Sequence, residues 1–142
     1  MHKIPAGFSL LELLLVAGLA LTLSMVAAPA LLSVREDYRL TGVANELVGR
    51  LNNARILAIN QSAYQRIQVS TTTAYALQKK SGASWTTTET YSLPKQFTIS
   101  ALVTPEFQTR GNAIPTGTFT VTNPRGKTKQ VVVATSGRVY VQ

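Results

Sequence analysis

Catalysis needs groups that move protons, attack carbonyls or hold metals, and this sequence supplies few of them. His2 is the single histidine and there is no cysteine. Acid–base, metal and thiolate chemistry therefore have almost nothing to draw on. Beyond Leu40 the only carboxylates are Glu46, Glu89 and Glu106, which leaves no paired-carboxylate site. Gly82, Gly111, Gly117, Gly126 and Gly137 stand singly and read as turn residues, not as a phosphate-cradling loop. The expectation is a chain that is not an enzyme and takes no cofactor or metal. Two sets of charged residues invite a functional reading: Glu12, at the mouth of a long apolar run, and the cations Arg125, Lys127, Lys129 and Arg138 near the carboxy end.

Glu12 is followed by charge-free sequence from Leu13 to Val34. That is about 22 residues, or roughly 33 Å as a helix at about 1.5 Å per residue, and a bilayer core asks for about 20. A carboxylate inside such a helix costs on the order of 2.5–3.5 kcal/mol at the centre and usually marks a functional partner. Two plainer readings compete. Ser9-x-x-Glu12 is a capping box, in which each side chain satisfies an orphan amide at a helix start; this is compatible with a second role. Residues 1–30 also resemble an ordinary secretory signal, with His2 and Lys3 as a weak basic region and Ala28-Pro29-Ala30 as a cleavage site. Against the latter, Glu12 interrupts the start of the apolar region and the run continues past Ala30.

The charge is unevenly placed. Lys3, Arg35 and Arg39 balance Glu12, Glu36 and Asp37, so the whole formal +8 lies beyond Leu40. Such an excess suits nucleic acid, anionic lipid or an acidic protein surface, and it also serves solubility. With no cysteine, the roughly 100 residues after the span must be held by packing alone.

Helical patterning continues past the apolar run. Leu40, Val43, Leu47, Leu51, Ala54 and Ala58 recur at spacings of three and four, with Arg39, Glu46, Arg50 and Asn53 off the stripe. One helix from about Phe8 to about Asn60 is predicted, apolar all round at first and amphipathic later. Pro29 should kink or break it, and Gly42 should loosen it. From residue 63 the pattern becomes strands: 63–69, 74–78, 85–93, 97–103, 117–122, 130–134 and 138–141. A loop over 104–116 carries a short piece at Phe107, and turns fall at 79–84 and 123–127. Helix first and strands after reads as α+β.

Gly7-Phe8-Ser9-Leu10-Leu11-Glu12 resembles the prepilin signal of type IV pilins and type II secretion pseudopilins. In that family a short leader ends in Gly, cleavage exposes an aromatic first residue, and the fifth mature residue is Glu. The later sequence is similar to the H-type pseudopilin (GspH/FimT) branch: Ala44-Asn45-Glu46-Leu47 and Leu51 to Ile59 on the helix, Trp85 after Gly82 in the central hairpin, Phe107-Gln108-Thr109-Arg110-Gly111, and Ser136-Gly137-Arg138-Val139.

The resemblance implies a leader (1–7), a transmembrane helix segment (8–34), an amphipathic helix segment (35–62) and a β-rich periplasmic head (63–142). Antiparallel sheets would pack on the carboxy-terminal half of the helix. It implies cleavage between Gly7 and Phe8 by a prepilin peptidase, methylation of Phe8, subunit assembly through Glu12 and a helix break at Pro29. The site would be the bacterial inner membrane, crossed once, with later incorporation among other pilins or pseudopilins. The function implied is that of a minor pilin or pseudopilin of a type II secretion pseudopilus or a type IV pilus. A pilus-tip DNA receptor for transformation is the alternative. Some relatives bind DNA through a terminal Gly-Arg-x-Arg element, and here Tyr140 replaces the second arginine after Gly137-Arg138. Arg125, Lys127, Lys129 and Arg138 would meet phosphates while Tyr140 stacks on a base. Arg55 is expected to tie helix to sheet, and Trp85 and Tyr91 to serve as core or sheet-face aromatics.

Overall fold

A computed structural model describes residues 9–142, the side chains of 26–32 excepted. The chain divides into two compact units, 1–36 and 37–142. Helix α1 spans Leu10–Asn60, 51 residues. Ser9 opens it: its hydroxyl accepts the Glu12 amide at 3.2 Å, one half of the expected capping box. In the first unit the apolar residues of α1 from Leu10 to Met25 are exposed on every side. Among the described residues no helix is long and apolar enough to cross a membrane. The expected span, 8–34, takes in Phe8 and the side chains of 26–32, which lie outside the described residues. The leader, 1–7, falls outside them too, as do the side chains around Pro29, where a break is expected; α1 is assigned as one helix through that residue.

In the second unit the predicted stripe faces inward. Leu40, Val43, Ala44, Leu47, Leu51, Ala54 and Ala58 are all buried. Gly42 lies on the exposed side with nothing near its Cα, and the helix runs through it. The helix stops without glycine. Ser62 takes φ 46°, its amide donates to the Ile59 carbonyl at 3.3 Å, and the Ala63 amide donates to Ala58 at 3.2 Å. This pair of bonds around a left-handed residue is the Schellman arrangement. It consumes Ser62 and Ala63, so the first strand starts at Gln65 and not at residue 63.

Eight strands follow: β1 Gln65–Thr71, β2 Ala74–Ser81, β3 Ser84–Ser92, β4 Thr98–Ala101, β5 Glu106–Phe107, β6 Gly117–Thr122, β7 Thr128–Val133 and β8 Val139–Val141. They form two four-stranded antiparallel sheets, in the orders β3-β2-β1-β5 and β4-β6-β7-β8. The α+β class with a long amino-terminal helix is the observed one. Alternation decides which side chains face the core. Along β6, Phe119 and Val121 are buried while Thr118, Thr120 and Thr122 face outward. Phe97, Phe107, Ile67, Leu77, Ile99, Val131 and Val133 complete the interior beside the helix stripe.

Two further boundaries differ from the sequence reading for identifiable reasons. The loop expected over 79–84 is shorter, because Gly82 takes φ 62° and closes the β2–β3 hairpin between Ser81 and Ser84. Strand β4 ends at Ala101, not at residue 103. The chain there turns across β6: a Cβ on Gly117 would lie 2.7 Å from both the Val103 carbonyl oxygen and Pro105 Cδ. The β sequence of Leu102 and Val103 is overridden by this close crossing, and Leu102 is left fully exposed.

The helix cap gives a direct test. A left-handed L-residue costs about 1–2 kcal/mol, offset in part by the entropy that glycine loses on folding. Ser62→Gly should therefore raise stability by about 0.5–1 kcal/mol, read as a higher denaturation midpoint with unchanged slope.

Candidate functional site

The residues that could carry function fall into three places. The first is the start of α1. Glu12 is exposed there, in the first turn, among exposed leucines. Its backbone amide is satisfied by the Ser9 hydroxyl. Gly7 and Phe8 lie outside the described residues.

The second place is where helix, loop and carboxy-terminal turn meet. Arg55, on the flank of the buried stripe, donates Nε–H to the Gly111 carbonyl at 2.7 Å and Nη2–H to the Ser136 carbonyl at 3.4 Å. Gly111 has φ 82°, and a Cβ there would lie 2.8 Å from Ile59 Cδ1 and 3.2 Å from Arg55 Nε. Gly137 has φ 78°, and a Cβ there would run into the Gly111 carbonyl oxygen and sit 2.9 Å from Arg55 Nε. Both glycines are required for conformation, and Gly137 for space as well. The expected role of Arg55 as a tie is what the geometry gives. The singular glycines 111 and 137 are more than turn formers, which no spacing in the sequence could reveal.

The third place is the basic surface, and here the structure separates what the sequence grouped. Arg125 and Lys127 occupy the β6–β7 turn, with Lys129 just inside β7. Asn123 Oδ1 accepts the Arg125 amide at 3.0 Å and the Lys127 amide at 2.9 Å, so that turn is rigidly built. Arg138 sits at the opposite end of β7, in the β7–β8 turn, where its carbonyl accepts the Ala134 amide. The two groups are therefore roughly 20 Å apart at about 3.3 Å per residue. Arg138 does stand beside Tyr140 on one strand face, its guanidinium 5.7 Å from the ring centre. Lys127 is engaged by Asp37 at 2.6 Å. A single phosphate-tracking patch of all four cations does not exist.

Aromatic rings absorb much of the remaining positive charge. Arg66 stacks on Trp85 at 4.0 Å, bonds Gln78 at 2.8 Å and faces Glu106 at 3.7 Å. Arg50 lies 4.0 Å over Tyr91, which packs on Tyr75 at 5.4 Å between ring centres. Trp85 and Tyr91 are sheet-face aromatics, as expected, whose partners are arginines. Burial, reinforced by the Glu46 carboxylate, pushes the Tyr75 phenol up to about 12 against the opposing influence of Arg50. Among the described residues no cluster of acids and histidines could hold a metal.

No protein-family model matches this chain, and no curated protein matches it. Solved structures do. The type IV minor pilin FimU of Pseudomonas aeruginosa PAO1 aligns at TM-score 0.63 and 19% identity, over 75% of this chain and 90% of that one. The minor pseudopilin EpsH of the Vibrio cholerae type II secretion system aligns at TM-score 0.63 and 10% identity, over 73% and 96%. A second EpsH crystal structure gives 0.62 and 12%, over 75% and 94%. At such identities the likeness is one of fold: a long helix carrying two antiparallel sheets.

Two outcomes follow from this geometry. Hydrogen bonds to a charged donor contribute about 1.5–3 kcal/mol, so Arg55→Ala should destabilise by about that much. Gly137→Ala should also destabilise, and the double variant should lose less than the sum, because both act on the Gly111 carbonyl; strict additivity would show that they do not share it. For Tyr75, whose ordinary value is 10.0, folded and unfolded phenols are both protonated at neutral pH. As pH rises from 10.0 towards about 12 the unfolded phenol ionises first, so stability falls across that window. Tyr75→Phe should flatten this alkaline loss in denaturation curves measured at successive pH values.

Proposed function

We propose that this chain is a minor pilin or H-type pseudopilin, a structural and assembly subunit of a type II secretion pseudopilus or a type IV pilus. The observation that carries this reading is the two-sheet head built on an amphipathic helix, the fold it shares with FimU and EpsH. The prepilin-like Gly7-Phe8-Ser9-Leu10-Leu11-Glu12 supports it from the sequence. On this reading residues 8–34 cross the bacterial inner membrane once and the head lies in the periplasm. A prepilin peptidase cuts between Gly7 and Phe8, Phe8 is methylated, and other pilins or pseudopilins are the partners.

Glu12 supplies the assembly step. Cleavage gives Phe8 a new cationic amine, while Glu12 holds a carboxylate that an apolar medium penalises by about 2.5–3.5 kcal/mol at the bilayer centre. Pairing the Glu12 of one subunit with the amine of its neighbour relieves the cost on both sides and drives docking. The Ser9 cap fits this role, because it satisfies the helix amide through the serine hydroxyl and leaves the carboxylate to the neighbour. The break at Pro29 would let the helix lengthen or bend as the subunit moves from membrane to filament.

Processing and assembly can be tested separately in cells. The mature protein should begin at Phe8, and Gly7→Val should retain the leader; an amino terminus at Leu31 would identify an ordinary secreted protein. Glu12→Ala should insert and be cleaved normally yet incorporate poorly into sheared filaments. Wild-type incorporation of that variant would reduce Glu12 to a helix cap.

A further inference from the structure

The edge of the head that begins at Asp37 gathers cations that are scattered in the sequence. The register brings them together. Thr98 of β4 pairs with Thr122 of β6, which pairs with Thr128 of β7. Lys95 lies three residues before that rung and Arg125 three after it, so both project beyond the sheet at one end. Lys127 and Lys129 flank the same rung, and Arg39 of α1 joins them, its guanidinium 5.7 Å from the Phe97 ring centre. The Lys127–Asp37 pair holds the turn against the helix beside a notch of about 410 Å³ floored by Leu40 and Thr41.

Two further features bear on what this edge meets. The β6–β7 turn is rigid: Asn123 holds two of its amides, and Gly126 takes φ 79°. Its cations are therefore presented, not trailing. Asp37 follows the end of the apolar run at Val34 by three residues, about 5 Å along a helix. Of the cations at this edge, Lys127 reaches the helix itself, at Asp37. Asp37 is the carboxylate that the turn engages, so the edge keeps a positive excess.

We propose that this collar is a binding surface for anionic phospholipid, with Lys95, Arg125, Lys127 and Lys129 meeting headgroup phosphates around the embedded helix. The inference rests on the membrane-inserted reading above. Cations close to an anionic surface add to its attraction one by one, and the effect dies within a Debye length of about 8–10 Å. Only cations at this edge qualify; Arg138, at the far end of β7, does not. The collar would hold the head against the bilayer before assembly, and extraction into a filament would break these contacts.

The chain has no cysteine, so Thr128→Cys places a single fluorophore at the start of β7, beside the turn, in the full-length protein. The labelled protein is reconstituted in vesicles of phosphatidylcholine alone or with added phosphatidylglycerol, each carrying a headgroup-linked quencher. Flotation and carbonate resistance report insertion independently. Insertion should be equal in both, quenching should be several-fold greater with phosphatidylglycerol, and high salt should abolish the difference. Replacing Arg125, Lys127 and Lys129 by Gln should remove the difference while insertion persists. Lys95→Gln with Arg125→Gln, which leaves the Lys127–Asp37 pair intact, should reduce it without disturbing the fold. Quenching indifferent to phosphatidylglycerol, or unchanged in both variants, overturns the proposal while leaving the membrane reading in place. Loss of insertion in every vesicle overturns that reading and the proposal with it. Variants that lose duplex-DNA binding but keep the lipid dependence of the unaltered chain would assign the collar to nucleic acid and overturn it too.

Discussion

The guanidinium of Arg55 fixes the helix against two segments remote in sequence, and the rest of the head depends on that fixation. Its Nε–H and Nη2–H reach carbonyls at Gly111 and Ser136. These belong to different connections, one leading from β5 towards β6 and the other joining β7 to β8. Without a donor there, two carbonyls facing the helix would need water. The site is crowded enough that residue 137 can carry no Cβ, and the φ of 82° at Gly111 disfavours a side chain there. Gly137 is in turn what lets β8 fold back on β7, which places Val139 and Val141 against the core. One charged side chain therefore sets the seating of loop, turn and last strand on the helix.

The same head solves a second constraint, an excess of positive charge with few carboxylates. Ion pairs alone cannot absorb eleven cations with three glutamates beyond Leu40. Aromatic faces accommodate several of these cations, with Arg66 on Trp85, Arg50 on Tyr91, Lys80 near Tyr64 and Arg138 near Tyr140. A guanidinium stacked on a ring covers apolar surface while keeping its edges wet. Trp85 is accommodated in this way on the outer face of β3, while Tyr91 packs against the core beside Tyr75. Lys95, Arg125, Lys127 and Lys129, which have no aromatic ring among the described residues, lie together at the end of the second sheet where Thr98, Thr122 and Thr128 pair.

Small residues on the helix explain how two sheets approach it. Ala44, Ala54 and Ala58 are completely buried on the same stripe as the larger Leu47 and Leu51. Phe97, Phe107 and Phe119 belong to the same buried cluster. The head thus has an interior dense enough to stand without disulfides. Among the described residues, the leucines from Leu10 to Leu23 are exposed.

The sequence by itself determined the helix, its buried stripe, and most strands, because periods of 3.6 and 2 are local properties of side-chain direction. Leu40 to Ala58 and the alternation of β6 were readable to the residue. The scarcity of histidine and cysteine was equally visible in the sequence. Tertiary structure decided everything that depends on contacts distant in sequence. It ended β4 at Ala101 because Val103 and Pro105 cross over Gly117. It turned Gly111 and Gly137 from ordinary turn residues into the seat of Arg55. It also divided the basic residues, sending Arg138 to one end of the sheet and Arg125, Lys127 and Lys129 to the other. Spacing in sequence says which face of a strand a cation occupies; only strand pairing says which end of the molecule it reaches.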